Sequence, residues 1–130
     1  MKRRQILNAM IGVGTLAGAA LLAGPSPALA QGDAWPNKPI RLIVGFAPGG
    51  GTDIVARALA PRMAEVLGQQ VVVENRAGAA GTIAAEIVAN APSDGYTLLM
   101  GHSNSNAIAP FVLPKIAYDP ARDFTPITYV

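Results

Sequence analysis

The chain has 130 residues, 51% hydrophobic and 5% aromatic, with no cysteine, one histidine and a formal net charge of +2. The absence of cysteine excludes a disulfide framework, a thiolate nucleophile and a Cys-based metal site. Three of the ten Lys/Arg lie at positions 2–4, so beyond residue 30 seven basic residues stand against eight acidic ones; no basic patch is left for nucleic acid, and the aromatics are too few for base stacking.

The amino end reads as an export signal. Lys2-Arg3-Arg4 is a positive n-region, Ala9 to Gly24 is an uncharged h-region, and Ala28-Leu29-Ala30 is an A-x-A site with cleavage expected after Ala30. The h-region is Gly- and Ala-rich and shorter than the ~20 residues of a membrane span, which argues against stable membrane insertion once the signal is removed. Arg3-Arg4-Gln5-Ile6-Leu7 also resembles a twin-arginine signal.

Residues 31–39, with Pro36, Pro39 and the single Trp35, read as an extended lead-in. Ile40 to Val44 is a short apolar run, hence a first strand. Thr52 to Leu67 carries Val55, Leu59, Met63 and Val66 at helical spacing, with Thr52 or Asp53 as N-cap, Gly68 as stop, and a kink or split expected at Pro61. Val71-Val72-Val73 is a second, β-branched strand, followed by the loop Asn75 to Gly81 and a helix from about Thr82 to Asn90 with Ile83 and Ile87 on its apolar face. Pro92 to Gly95 is a turn and Tyr96 to Met100 a third strand. The polar exit Gly101 to Asn106 comes next, then a short helix around Ala107 to Leu113. The last residues, Phe124 to Val130, read as the start of another apolar strand, so the sequence is expected to be the amino-terminal part of something longer.

Strand, helix, strand, helix, strand predicts an α/β fold with a parallel sheet and right-handed crossovers. Ligands of open α/β sheets bind beyond the carboxyl ends of the strands. Here those ends lead into Gly45-Phe46-Ala47-Pro48-Gly49-Gly50-Gly51-Thr52-Asp53, Asn75-Arg76-Ala77-Gly78-Ala79-Ala80-Gly81 and Gly101-His102-Ser103-Asn104-Ser105-Asn106.

The first of these loops is one residue from the phosphate-binding pattern G-x-x-x-x-G-K-[ST], with Gly51 in the lysine's place and the anionic Asp53 two residues on, which turns the reading away from nucleotides. The dinucleotide pattern fails as well, so no cofactor is expected. In the third loop Gly101-His102-Ser103-Asn104-Ser105 is a near miss to the nucleophile elbow, which raises a secreted serine hydrolase using Ser103 as an alternative. The adjacent His102 would diverge from Ser103 on a sharp turn, so such an enzyme would need a histidine from outside this sequence. Asp119 and Asp123 read as turn chemistry, Asp53 and Arg57 as a surface i,i+4 ion pair or a ligand contact, and Glu65, Glu74 and Glu86 as solvated. Two readings of the glycines stay open: tight strand-to-helix turns, or backbone N–H groups opened to a carboxylate at a helix start.

Trp35-Pro36-x-Lys38-Pro39-Ile40 leading into Ile43 to Asp53 with Ala56-Arg57, then Val73 to Gly81, Asp94 to Leu99, and Tyr118-Asp119-Pro120 with Asp123 to Pro126, together resemble the substrate-binding proteins of tripartite tricarboxylate transporters, the Bug-type receptors. The resemblance implies domain 1 of a two-domain periplasmic binding protein-like fold, truncated, with residues 40–130 forming an incomplete ligand-binding domain. It implies a periplasmic receptor, not an enzyme, whose partners are a small carboxylate solute and a membrane permease. By position it carries over Phe46, Pro48, Gly50, Gly51, Thr52 and Asp53 from the first loop, Gly78, Ala79 and Gly81 from the second, and His102 and Ser103 from the third. Pro61 departs from a helix that is continuous in that family, and the second domain is missing, which leaves a nonfunctional truncated receptor as a further alternative.

Overall fold

A computed structural model describes residues 34–130. The expected export signal, the cleavage expected after Ala30 and residues 31–33 lie outside the described residues. The elements are β1 (Ile40–Val44), α1 (Gly51–Leu67), β2 (Val71–Asn75), a short 3-10 turn (Ala79–Gly81), α2 (Thr82–Ala89), β3 (Thr97–Met100), a π-helical turn (Asn104–Ile108) and α3 (Ala109–Val112). The sheet is parallel in the order β2-β1-β3, with Ile40 opposite Val71 on one side and Arg41 opposite Thr97 on the other. The central strand is apolar on both faces because both are covered. Ile40, Leu42 and Val44 pack with Ala56 and Ala60 of α1, and the alternate position Ile43 is fully buried on the opposite face. Each of Ile40, Ile43 and Val44 contributes about 1.5–3 kcal/mol by leaving water.

The chain moves from β1 outward to β2 and then crosses back to the far side of β1 to form β3. The strand order therefore reverses direction at β1, which opens a crevice at its carboxyl end.

The faces of the helices differ from those expected. On α1 the small residues Ala56 and Ala60 are buried together with Asp53, whereas Val66 is 86% exposed and Val55 40%. On α2 the buried positions are Thr82, Ala84 and Ala85, while Ile83 is exposed. Small side chains let a helix approach the sheet closely, so the face of alanines won over the stripe of larger residues. Helix α1 is also unbroken at Pro61. The proline is exposed, so the Arg57 carbonyl it leaves without a partner can be hydrated, and Ala56 and Ala60 seat the helix around it on the sheet.

Strand β2 runs two residues further than the β-branched run, and Glu74 is not simply solvated. Its carboxylate accepts from Arg41 Nε (2.7 Å) and Nη2 (2.9 Å) across the sheet, with Arg76 Nη2 at 3.2 Å. Held mainly by Arg41, its pKa falls to about 2. Residues 124–130 form no strand; they are irregular and mostly exposed, since a strand requires a partner ladder and none is paired with them. The polar exit after β3 coils into the π-helical turn instead of remaining a loop, and α3 lies within the short helix expected around Ala107 to Leu113.

The lead-in docks on the turn before β3. Trp35 Nε1 donates to the Asp94 carbonyl (3.0 Å), and its ring lies against Gly95 and 5.9 Å from that of Tyr96. Lys38 pairs with Asp94 at 3.4 Å and sits 4.2 Å over the Tyr96 ring, whose hydroxyl donates to Asn37 Oδ1.

Candidate functional site

The three loops expected to form a site converge on one side chain. Phe46, the second residue after β1, places its ring 4.7 Å from that of His102 in the third loop and against Gly81 in the second. A Cβ on Gly81 would lie 3.4 Å from the Phe46 ring and 3.5 Å from Ser105 Cβ, and its φ of +90° is one that L side chains rarely adopt. Gly45 is needed for a different reason: a Cβ there would sit 2.9 Å from Gly81 Cα, so the first two loops touch backbone to backbone. The buried Ser105 is fixed from behind by Tyr118, whose hydroxyl donates to the Ser105 carbonyl at 2.6 Å.

The first loop ends at the start of α1. Gly50 is the N-cap with no side-chain cap, correcting the assignment of Thr52 or Asp53 to that role. The N–H groups of Gly51, Thr52 and Asp53 carry no partner among the described residues, so the positive end of a 17-residue helix has three unpaired donors, those of the exposed Gly51 and half-buried Thr52 nearest the surface. The second loop is bent more sharply than glycine content alone suggested. Gly78, Ala79, Ala80 and Gly81 all have positive φ, two of them alanines at 45° and 56°. Strain of this kind persists where the surroundings enforce it; here Ile83 closes over Gly78 and Thr82 Oγ1 donates to the Ala79 carbonyl.

Asp53 is neither a surface ion pair nor a free acid. It is 2% exposed, and its carboxylate accepts from Gly49 N–H (2.8 Å), Arg57 Nε (2.9 and 3.0 Å) and Asn75 Nδ2 (2.8 Å). Arg57 first, then Gly49 and Asn75, draw its pKa down to about 2, so it is ionised at any ordinary pH. Asn75 and Arg57 belong to this arrangement although the sequence did not single out Asn75. A polar amide closing a β-branched strand beside two glycine loops was the available signal.

Of the other expected residues, Pro48, Gly51, Ala79 and Ser103 are exposed at the loop tips, and Gly50, Thr52 and Gly78 are half-buried. His102 Nδ1 accepts from Asn104 N–H at 3.1 Å, so that nitrogen is occupied within its own turn, and no hydrogen bond joins His102 to the Ser103 hydroxyl. The described residues hold no cluster of His, Cys, Asp and Glu suited to a metal, and no helix among them is long and apolar enough to cross a membrane.

A doubly wound parallel sheet with backbone donors gathered at the carboxyl ends of its strands is the architecture of a periplasmic binding protein domain. The family described as the tripartite tricarboxylate transporter family receptor matches residues 55–130, and this chain belongs to it. It is 46% identical over 113 residues to a UPF0065 protein from the tcbD-tcbE intergenic region of Pseudomonas sp. (strain P51), a match covering 86% of this chain and 33% of the relative. It is 44% identical over 99 residues to protein BugT of Bordetella pertussis (strain Tohama I), covering 75% and 30%. Among solved structures it resembles MatC of Rhodopseudomonas palustris with bound malate (47% identity, TM-score 0.68, 70% of this chain and 31% of that one). It also resembles R. palustris Rpa4515 with adipate (44% identity, TM-score 0.64, 67% and 29%). The chain spans about a third of the length of the curated relatives it matches.

Proposed function

We propose that this chain supplies the amino-terminal half of the binding cleft of an exported receptor for a small carboxylate solute, which it delivers to the membrane permease of a tripartite tricarboxylate-type transporter. The observation that carries the reading is the set of unpartnered N–H groups at Gly51, Thr52 and Asp53, at the end of a first loop that is pinned to the second through Phe46 and Gly81. A helix start holds a carboxylate without any lysine or arginine. Family membership and relatives with bound malate and adipate support the same chemistry. Phe46, Pro48, Gly50, Gly51, Thr52, Gly78, Ala79, Gly81, His102 and Ser103 are the proposed lining. Phe46 and His102 form its apolar and aromatic wall, and the loop backbone supplies its donors.

The leader at residues 1–30 is the proposed export signal, with Gln31 the first residue of the secreted form. Amino-terminal sequencing of the periplasmic fraction checks that assignment. For the solute, thermal melting across a panel of di- and tricarboxylates, amino acids and aromatic acids is the direct test, because a ligand bound only by the native state raises apparent stability by mass action. The expected outcome is a concentration-dependent rise with at least one carboxylate. A flat response to every acid would remove the reading.

A further inference from the structure

The Asp53 carboxylate and both N–H donors of the Asn75 side chain are engaged within the protein, so neither side chain is left to hold a carboxylate. Asp53 Oδ1 accepts from Arg57 Nε and Asn75 Nδ2, and Oδ2 from Gly49 N–H and Arg57 Nε. A primary amide has two N–H donors. Asn75 uses one on Asp53 and the other on the Phe46 carbonyl at 3.1 Å, while its Oδ1 accepts from Arg57 Nη2 at 2.9 Å. The network therefore ties together α1, both flanks of the first loop, and the end of β2 from which the second loop departs.

Two physical consequences follow. The first loop holds Gly45, Gly49 and Gly50, and ordering so permissive a segment at the moment of binding would cost affinity; a loop already fixed avoids that cost. The Asp53 charge also lies in the same helix turn as the unpaired N–H groups, where it would oppose an incoming anion, and Arg57 offsets it there. We propose that the side chains of Asp53, Arg57 and Asn75 form a positioning latch that holds the first loop against the second before any solute arrives, with the side chains of Asp53 and Asn75 not themselves holding the solute's carboxylate. The inference rests on the carboxylate-receptor reading and makes Asn75, which lies outside both glycine turns, a determinant of affinity.

Amide hydrogen exchange and calorimetric titration with malate and adipate, on the full chain and its Asn75→Ala, Asn75→Asp and Asp53→Asn variants, test it. With Asn75→Ala, amides of residues 45–53 and 76–82 should exchange about tenfold faster, the scale of one lost charge-assisted hydrogen bond, while β1 keeps its protection. The Kd for whichever acid binds should rise about tenfold. Asn75→Asp, nearly the same shape but with acceptors where donors are needed, should be at least as damaging. Wild-type exchange in residues 45–53 and wild-type Kd in both Asn75 variants would overturn the latch, as would loosening spread evenly through β1, α1 and β2. If neither acid binds the wild-type chain, the wider acid panel tests the carboxylate reading separately. The exchange of residues 45–53 in Asn75→Ala then decides the latch alone, and it also serves if Asp53→Asn fails to fold.

Discussion

At the amino end of the sheet, Trp35, Lys38 and Tyr96 clasp the turn at Asp94 and Gly95 through an indole hydrogen bond, a tilted contact between aromatic rings and an exposed ion pair. At the carboxyl end, a few ångströms of glycine and alanine backbone do the joining, and large side chains are few apart from Phe46 and His102. The first end only has to hold the chain, so bulky groups can fill it. The second leaves backbone donors uncovered, which requires small residues at the surface, and its order comes from a carboxylate buried underneath. The difference teaches that Asp53, the acid nearest the proposed anion cradle, belongs to its scaffold.

Acid should bear most strongly on the carboxyl end, although the Tyr96 N–H also holds Asp94 at the amino end below the ordinary carboxylate range. Asp53 and Glu74, both beside the loops, have folded pKa values of about 2 against ordinary values of 3.8 and 4.5. A depressed carboxylate contributes stability that is fully present above its unfolded pKa and is lost as pH falls toward the folded one. Denaturant melts should therefore be flat in this respect down to about pH 4.5 and weaken steadily toward pH 2. In Asp53→Asn the decline should be shallower, and an unchanged slope would show that the loop end does not depend on that charge.

Gly45→Ala comes next in size. Its Cβ would meet Gly81 Cα at 2.9 Å and Ala84 Cβ at 3.2 Å, neither on a flexible chain. Overpacking of this kind costs about 1–3 kcal/mol in urea melts, and carboxylate affinity should fall with it. Trp35→Ala should cost about 1–2 kcal/mol, in the ordinary range for a lost aromatic contact and hydrogen bond, and leave affinity for the same acid unchanged. A matching loss of affinity would break the division between the two ends. The smallest effect belongs to Ala80→Gly. Relief of a positive φ opposes the added freedom of the unfolded chain, so stability should shift by less than about 1 kcal/mol while the second loop loses rigidity, visible in its amide exchange.

Much of the fold was legible beforehand. The β-branched runs at Ile40 and Val71 and the glycine stops fixed where strands and helices alternate, and alternation with crossover-length spacing implied a parallel sheet. The helix faces were not legible, because periodicity ranks positions by hydrophobicity whereas close packing on a sheet selects Ala56, Ala60, Ala84 and Ala85 for their size. Glu74 was misread for a related reason: a strand gives no hint of which residue of its neighbour lies diagonally opposite, and that residue was Arg41. The strained alanines at 79 and 80 carry no sequence mark at all, since alanine has no preference for the backbone they adopt.

The sequence by itself determined the chemistry available at the carboxyl ends of the strands: small residues, unprotected backbone, no lysine where a phosphate would need one, and the motifs of a receptor family. Tertiary structure decided which groups face outward. Asp53 turns inward because Gly49, Arg57 and Asn75, from a loop, a helix and a strand end, meet its two oxygens there. Phe46 touches the other two loops because β1 is the central strand, flanked by β2 on one side and β3 on the other. Those outcomes depend on which elements become neighbours, and that is set by the packing of the whole sheet rather than by any one stretch of the chain.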